Sequence, residues 1–231
     1  MSMQSSPNIF DLWDTYHKVV AANLMFHREI AQAMRQALAA KFSGRRPAFL
    51  DLGCGDATAL VPILRDFPPS RYKGVDLSET ALALAARELA NLPCPVTLAH
   101  GDIIEALAED DSYDVIHSSF ALHHLPTEQK GEFFRRALLR LAPGGLLLLV
   151  DVVREEDESL DDYMRGYCAW VRRDWTGLSA EERDAVCDHL VNNDLPETLS
   201  TLLALARAAG LQQTPGGVQY GAHRLVCFAR D

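Results

Sequence analysis

The spacing of apolar and polar positions divides the chain into stretches of two periods. Residues 8–41 are rich in Ala, Leu, Met, Gln and Glu and contain neither Pro nor Gly, which predicts a helical segment ended by Ser43-Gly44 and Pro47. Short apolar runs then alternate with helical stretches. Residues 48–52 read as a strand, 57–67 as a helix, 72–76 as a strand, and 78–89 as a helix with Ser78 at its N-cap. Residues 96–100 and 113–119 form a third and a fourth strand, 128–141 a helix, and 145–152 a fifth strand. The unbroken apolar run at 146–150 is the signature of a strand buried on both faces. Strands and helices alternating at this length predict a parallel sheet covered on both sides.

The rhythm breaks after Val153. An acidic stretch at 155–162 leads into Tyr163, Tyr167, Trp170 and Trp175, and a polar helix opens near Ser179, so 154–196 reads as a helical insertion or lid. An amphipathic helix at 197–209 closes at Gly210, and two extended pieces, 211–214 and 224–229, suit a terminal antiparallel hairpin. The whole chain, 1–231, is expected to be one domain with an N-terminal helical cap at 1–43.

Composition narrows the function. With 231 residues, 48% of them hydrophobic, the chain can bury a core without disulfides or metals. Its 32 acidic against 22 basic residues give a net charge of −10, and its basic clusters are only the pairs Arg45-Arg46, Arg135-Arg136 and Arg172-Arg173. Such a surface repels a phosphate backbone, so nucleic acid is not the expected partner. Five scattered cysteines without a C-x-x-C spacing, no signal peptide and no apolar run of membrane-spanning length predict a reducing, cytoplasmic setting away from membranes. A homodimer is left open by the pattern.

The strongest chemical signal is Asp51-Leu52-Gly53-Cys54-Gly55-Asp56-Ala57, placed between a strand and a helix. Its glycines allow a sharp turn and a close backbone approach to a ligand, beside the free N–H groups of a helix start. A glycine turn also serves any α/β protein as a plain connection. Asp76, at the end of the second strand, adds a carboxylate placed to accept from both hydroxyls of a ribose. Thr58 stands where a dinucleotide fingerprint needs its third glycine, so the expected ligand is an adenosine without a diphosphate.

On these residues the chain resembles the class I S-adenosylmethionine (SAM)-dependent methyltransferases. Five blocks carry the resemblance: 49–57, Gly74-Val75-Asp76-Leu77-Ser78, Gly101-Asp102-Ile103, 114–125 and Leu141-Ala142-Pro143-Gly144-Gly145. It implies a Rossmann-like seven-stranded, mostly parallel α/β sheet with the terminal antiparallel hairpin and helices on both faces. It also implies SAM as cofactor, S-adenosylhomocysteine as product, and a small-molecule acceptor. Asp51, Gly53, Cys54 and Gly55 then surround the amino acid part of SAM, and Asp76 holds the ribose. Leu77, Asp102 and Ile103 meet the adenine, and Ser118 and Ser119 close the cofactor site. Asp51, Asp76 and Asp102 can also serve as plain helix caps or strand ends.

Methyl transfer from a sulfonium needs alignment in a dry site more than acid–base chemistry. His123 and His124 are the candidate bases, with a structural role as the alternative. Tyr16, His17, His27, Tyr167 and Trp170 are the expected acceptor pocket, although aromatics at helical spacing also serve plain packing. His17 and His27 lie about three helical turns apart, too far to share an ion, and no metal is expected. Residues 178–210 are loosely similar to carboxy-SAM synthases, which modify SAM itself and would need an arginine for the added carboxylate. Arg165, Arg172 and Arg173 are positional candidates. A non-catalytic SAM-binding module is the third reading.

Overall fold

The computed structural model describes the backbone of residues 9–230 and the side chains of residues 14–230. Residues 1–8 of the expected cap lie outside the described residues. The expected N-terminal helix is two helices, α1 (Ile9–Ala21) and α2 (His27–Phe42). Asn23 causes the break. Its Oδ1 accepts from the Arg28 N–H at 2.9 Å and its Nδ2 donates to Glu29 at 2.8 Å, while Asn23 and Phe26 adopt φ of 57°. A short amide side chain that bonds nearby backbone competes with the helix, a local effect that residue propensities do not register.

Seven strands follow: β1 (Ala48–Leu52), β2 (Arg71–Asp76), β3 (Val96–His100), β4 (Tyr113–Ser119), β5 (Leu141–Val152), β6 (Leu211–Tyr220) and β7 (His223–Arg230). Their order in the sheet is β3-β2-β1-β4-β5-β7-β6, parallel through β5, with β7 antiparallel to both of its neighbours. The remaining helices are α3 (Val61–Asp66), α4 (Glu79–Glu88), α5 (Ile103–Ala106), α6 (Thr127–Arg140), α7 (Leu160–Asp174), α8 (Ala180–Asn193) and α9 (Leu199–Ala209). Helix α3 starts later than expected because Ala57, at φ 60°, still belongs to the glycine turn.

Burial on both sheet faces follows from the period of two along each strand. Leu146, Leu148 and Val150 of β5 join Phe49 and Val115 under α2, where Ile30, Met34 and Leu38 meet them. Leu147 and Leu149 point the other way, toward Phe133 and Phe134 of α6 and Leu202 of α9. A third cluster, Tyr163, Tyr167, Val171 and Trp175 with Cys187 and Leu190, packs α7 and α8 together and touches Val19 of α1 and Val152 of β5. This cluster sits beyond the C-terminal end of β5, so insertion and cap share one apolar seam.

Candidate active site

Sheet order reverses between β1 and β4, and a cavity of about 1050 Å³ opens at their C-terminal ends, where ligands of open α/β sheets bind. Clefts for small molecules span roughly 300–1,000 Å³, so there is room for two reactants.

One end is built from the loops after β1, β2 and β3. Gly53 has φ 72°, and a Cβ there would stand 2.5 Å from the Cβ of Ala121, so this position requires glycine on two counts. The Gly53 and Cys54 N–H groups donate to the Val75 carbonyl at 2.8 and 3.0 Å, locking the turn onto β2. Asp76 takes the Gly55 N–H on Oδ2 and the Ser78 N–H on Oδ1, both at 2.8 Å. Each oxygen is thereby aimed, and each keeps a lone pair. Asp102 caps α5, accepting from Ile104 at 2.7 Å and Glu105 at 3.2 Å, both on Oδ1. Leu77 is 67% exposed and, like Ile103, lines the cavity. An exposed leucine facing a cleft is a platform for a flat apolar ring. Cys54 is buried, and burial together with Asp51 and Asp76 pushes its thiol far above the usual range, which makes it packing rather than a nucleophile.

Asp51 is buried beneath this turn. Its Oδ2 accepts from the Tyr72 hydroxyl and its Oδ1 from His117 Nδ1, both at 2.7 Å. Because a carboxylate only accepts, His117 carries its proton on Nδ1. The opposite nitrogen, Nε2, lies on a cavity-lining ring and has no partner among the described residues. Tyr72 and His117 are absent from the sequence-level site. Their contacts with Asp51 bridge 21 and 66 positions, which no local motif records.

Three expected site residues, Ser118, Trp170 and His17, are not among the residues that line the cavity. Ser118 is fully buried and donates its hydroxyl to the Leu52 carbonyl at 3.0 Å, stitching β4 to β1, whereas Ser119 does line it. Trp170 packs edge-on against Tyr167 and Trp175, with ring centroids at 5.2 and 5.3 Å, while Tyr167 and Trp175 reach the cavity in its place. His17 also acts indirectly. Its Nε2 lies 2.5 Å from Asp56 Oδ2 and ties α1 to the glycine turn.

The other end gathers aromatic and imidazole side chains. Burial lowers the His27 pKa to about 4, and neither ring nitrogen has a partner among the described residues. Burial also lowers His223 to about 4, and its Nε2 lies 2.8 Å from the Tyr167 hydroxyl. Burial, with Asp56 and Asp51, raises the Tyr16 phenol well above its ordinary value. At neutral pH these groups are therefore uncharged donors and acceptors.

His123 is buried in the 3₁₀ turn Leu122–His124. Burial acts to lower its pKa, but the Asp151 carboxylate, followed by Asp194, outweighs it and holds the ring above the ordinary value. Its Nδ1 donates to Asp151 Oδ1 at 2.5 Å, and its Nε2 stands 3.6 Å from Asp194 Oδ1. Asp194 Oδ1 also lies 3.2 Å from His124 Nδ1 and 3.9 Å from His189 Nε2. The segment bearing Asp194 is held by the Leu195 N–H donating to the His123 carbonyl at 2.8 Å and by the buried Lys130 ammonium donating to the Leu195 carbonyl. None of the described residues lining the cavity is an arginine or a lysine. Arg165, Arg172 and Arg173 are exposed and bond Asp162, Asp184 and Asp174.

Residues 49–145 match a family model described as a methyltransferase domain. Among curated proteins the chain is 31% identical over 124 residues to the release factor glutamine methyltransferase of Rhodopirellula baltica, covering 50% of this chain and 42% of that one. It is 29% identical over 131 residues to the carboxy-S-adenosyl-L-methionine synthase of Aeromonas salmonicida, covering 55% and 52%. The chain thus spans about half the length of these relatives. Among solved structures, an O-methyltransferase family 2 protein from Planctomyces limnophilus in complex with apigenin superposes with a TM-score of 0.67 at 16% identity, over 99% of this chain and 64% of that one. The glycine turn locked on β2, the aimed Asp76, the exposed Leu77 platform and the capping Asp102 fit an adenosine with a short charged tail, and the sheet order with the matched segment agrees. The matched segment is thus similar to the class I SAM-dependent methyltransferases, and the chain shares their fold.

Proposed function

We propose that this protein transfers the methyl group of SAM to a small-molecule acceptor held between α1, α2, α7 and α8. The observation that carries the reading is the division of one cavity into two chemistries. The end beneath Gly53 and Asp76 is acidic, and the other end is aromatic and carries imidazole and indole nitrogens of His27 and Trp175 without a partner among the described residues. Polar atoms buried without a protein partner are where a ligand's own polar groups bind. His27 and the Trp175 Nε1 are such points.

SAM supplies an electrophilic methyl on a cationic sulfur. The residues of this chain bind, orient and keep water out: Asp76 receives the ribose hydroxyls, Leu77 and Ile103 flank the adenine, and Asp102 accepts from its amino group. Asp51, held by Tyr72 and His117, sets a buried negative charge near the methionine end. His123 and His124 close the acceptor end, where either can take up a proton from the acceptor.

A carboxy-SAM synthase is the second reading, since several relatives bear that name. An added carboxylate would require a buried cationic partner, and the described lining contains neither arginine nor lysine. Five free thiols suit the reducing cytoplasm that the reading assigns. Isothermal titration separates the readings: SAM and S-adenosylhomocysteine bind, and NAD and FAD do not. Native mass spectrometry of freshly purified protein is expected to retain SAM or S-adenosylhomocysteine. Retained carboxy-SAM, or tight NAD binding without SAM binding, would reject the proposal.

A further inference from the structure

Asp194 Oδ1 is a carboxyl oxygen in a residue that is almost wholly buried, and no described residue donates a hydrogen bond to it. Three imidazoles nevertheless converge on it, with His124 Nδ1 at 3.2 Å, His123 Nε2 at 3.6 Å and His189 Nε2 at 3.9 Å. A buried carboxylate without a partner costs several kcal/mol unless a cation meets it. His124 Nδ1 also lies 3.4 Å from the Asn193 carbonyl, to which it donates only while it carries the proton that an ion would displace.

We propose that His123, His124 and Asp194 bind a divalent transition-metal ion at the acceptor end of the cavity, with His189 beside them as a fourth donor. One ligand atom from each of the first three lies within 4.8 Å of the other two. Ligands about 2.1 Å from a tetrahedral ion stand roughly 3.4 Å apart, and the separations from Asp194 Oδ1 to His124 and His123 bracket that spacing. The second sphere is built as well. Asp151 takes the Nδ1 proton of His123 at 2.5 Å, which fixes the tautomer with Nε2 turned to the cluster. The Leu195–His123 backbone bond and the Lys130 contact to Leu195 hold the Asp194 segment against the histidine turn. An imidazole-rich set with one carboxylate selects zinc or iron(II) over magnesium or calcium.

The site deepens the methyltransferase proposal and rests on it only for its purpose. With His123 and His124 on the ion, neither ring serves as the base. An acceptor hydroxyl or thiol that reaches the ion instead loses its proton to solvent as it binds, before water is excluded, because the cation stabilises the anion left behind. The new bond then joins that oxygen or sulfur to the methyl carbon as the carbon–sulfonium bond breaks. The electron pair stays on the departing sulfur, which leaves as a neutral thioether, and nothing is oxidised or reduced.

The test uses the whole 231-residue chain, free of any histidine tag, stripped with a chelator, equilibrated with zinc chloride and desalted. Plasma mass spectrometry is expected to find one zinc per chain, and cobalt(II) substitution a visible d–d spectrum. His124→Ala and Asp194→Asn each lower zinc affinity at least about 100-fold, and Asp151→Asn lowers it about 10-fold through the ring it orients. S-adenosylhomocysteine titrated into the same samples binds within about twofold of wild type, which shows that the variants are folded. Wild type that retains no zinc, or variants that retain it as wild type does, overturns the metal site. Zinc retained at one equivalent with no S-adenosylhomocysteine binding leaves the site standing and rejects the methyltransferase activity instead.

Discussion

The two ends of the cavity are made in different ways. At the cofactor end, neighbours in space are neighbours in sequence: Gly53, Cys54 and Gly55 form one turn, Asp76 and Leu77 the next, and Asp102 and Ile103 a third. Backbone N–H groups do most of the work there, aiming Asp76 and Asp102 directly. The acceptor end is assembled across the chain. His123 meets Asp151 and Asp194, Tyr167 meets His223, and His27 packs against Phe120. A site fixed by its own backbone tolerates change around it, whereas a site made of distant side chains depends on the packing of every helix that carries one.

The largest expected effect falls on the backbone-built end. Gly53→Ala puts a methyl group 2.5 Å from Ala121 and strains a φ of 72°, so S-adenosylhomocysteine affinity in titration drops at least 100-fold, about 3 kcal/mol. Adding Ala121→Gly removes the clash and recovers part of the loss. If Gly53→Ala binds as wild type does, backbone geometry is not what makes this end.

Acid probes the other end. His223 and His27 have folded pKa values of about 4 against an ordinary 6.5, because burial disfavours the charged ring. The unfolded chain therefore takes up protons first as pH falls. Stability is fully present above pH 6.5, declines as pH falls through 6.5 toward 4, and levels off below. For the more deeply buried His223 the loss amounts to about 3 kcal/mol at most. Urea titrations at pH 7.5 and 4.5 measure it, and His223→Gln flattens the difference. A pH response unchanged by His223→Gln would mean that the imidazole is not the group responsible.

Asp76→Ala removes a charged acceptor shared by two ribose hydroxyls, for an expected loss of about 2 kcal/mol in cofactor affinity. Unchanged affinity assigns Asp76 to holding the Gly55 and Ser78 N–H groups alone. The smallest signal is dynamic. Helices α1 and α7 share one apolar seam across the cavity, so hydrogen exchange in both slows when S-adenosylhomocysteine is added, if they act together as a lid. Identical exchange in both helices at saturating ligand would leave the seam as ordinary packing.

Most of the sheet was legible because each strand is a local apolar run, and the bounds of β1, β3 and β4 coincide with the sequence reading. The residues proposed for the cofactor were legible as candidates for the same reason, since the glycine turn and the acid after β2 are local chemistry. Ser118 shows where such reading stops. Beside Ser119 in sequence it points to the opposite face of β4, and only the pairing of Ser118 with Leu52 decides which serine meets the cavity. Asp194 carried no local mark at all. It follows the polar helix α8, and its meaning depends on a histidine turn 71 positions earlier. The break between α1 and α2 was hidden because one amide side chain, rather than a Gly or Pro, stops the helix.

Lys130 fixes one wall of the cavity. Its ammonium is sealed inside the protein, bonded to the Leu195 carbonyl and 3.5 Å from Glu197, so it rivets the strip 194–197 to α6 and through α6 to the sheet. Releasing that rivet would strand a buried charge, a cost of several kcal/mol and far too great for every catalytic cycle. The histidine floor is consequently a fixed jaw. If the proposed acceptor enters past a moving wall, that wall is the opposite one, where the backbone around Asn23 and Phe26 turns back on itself between two helices.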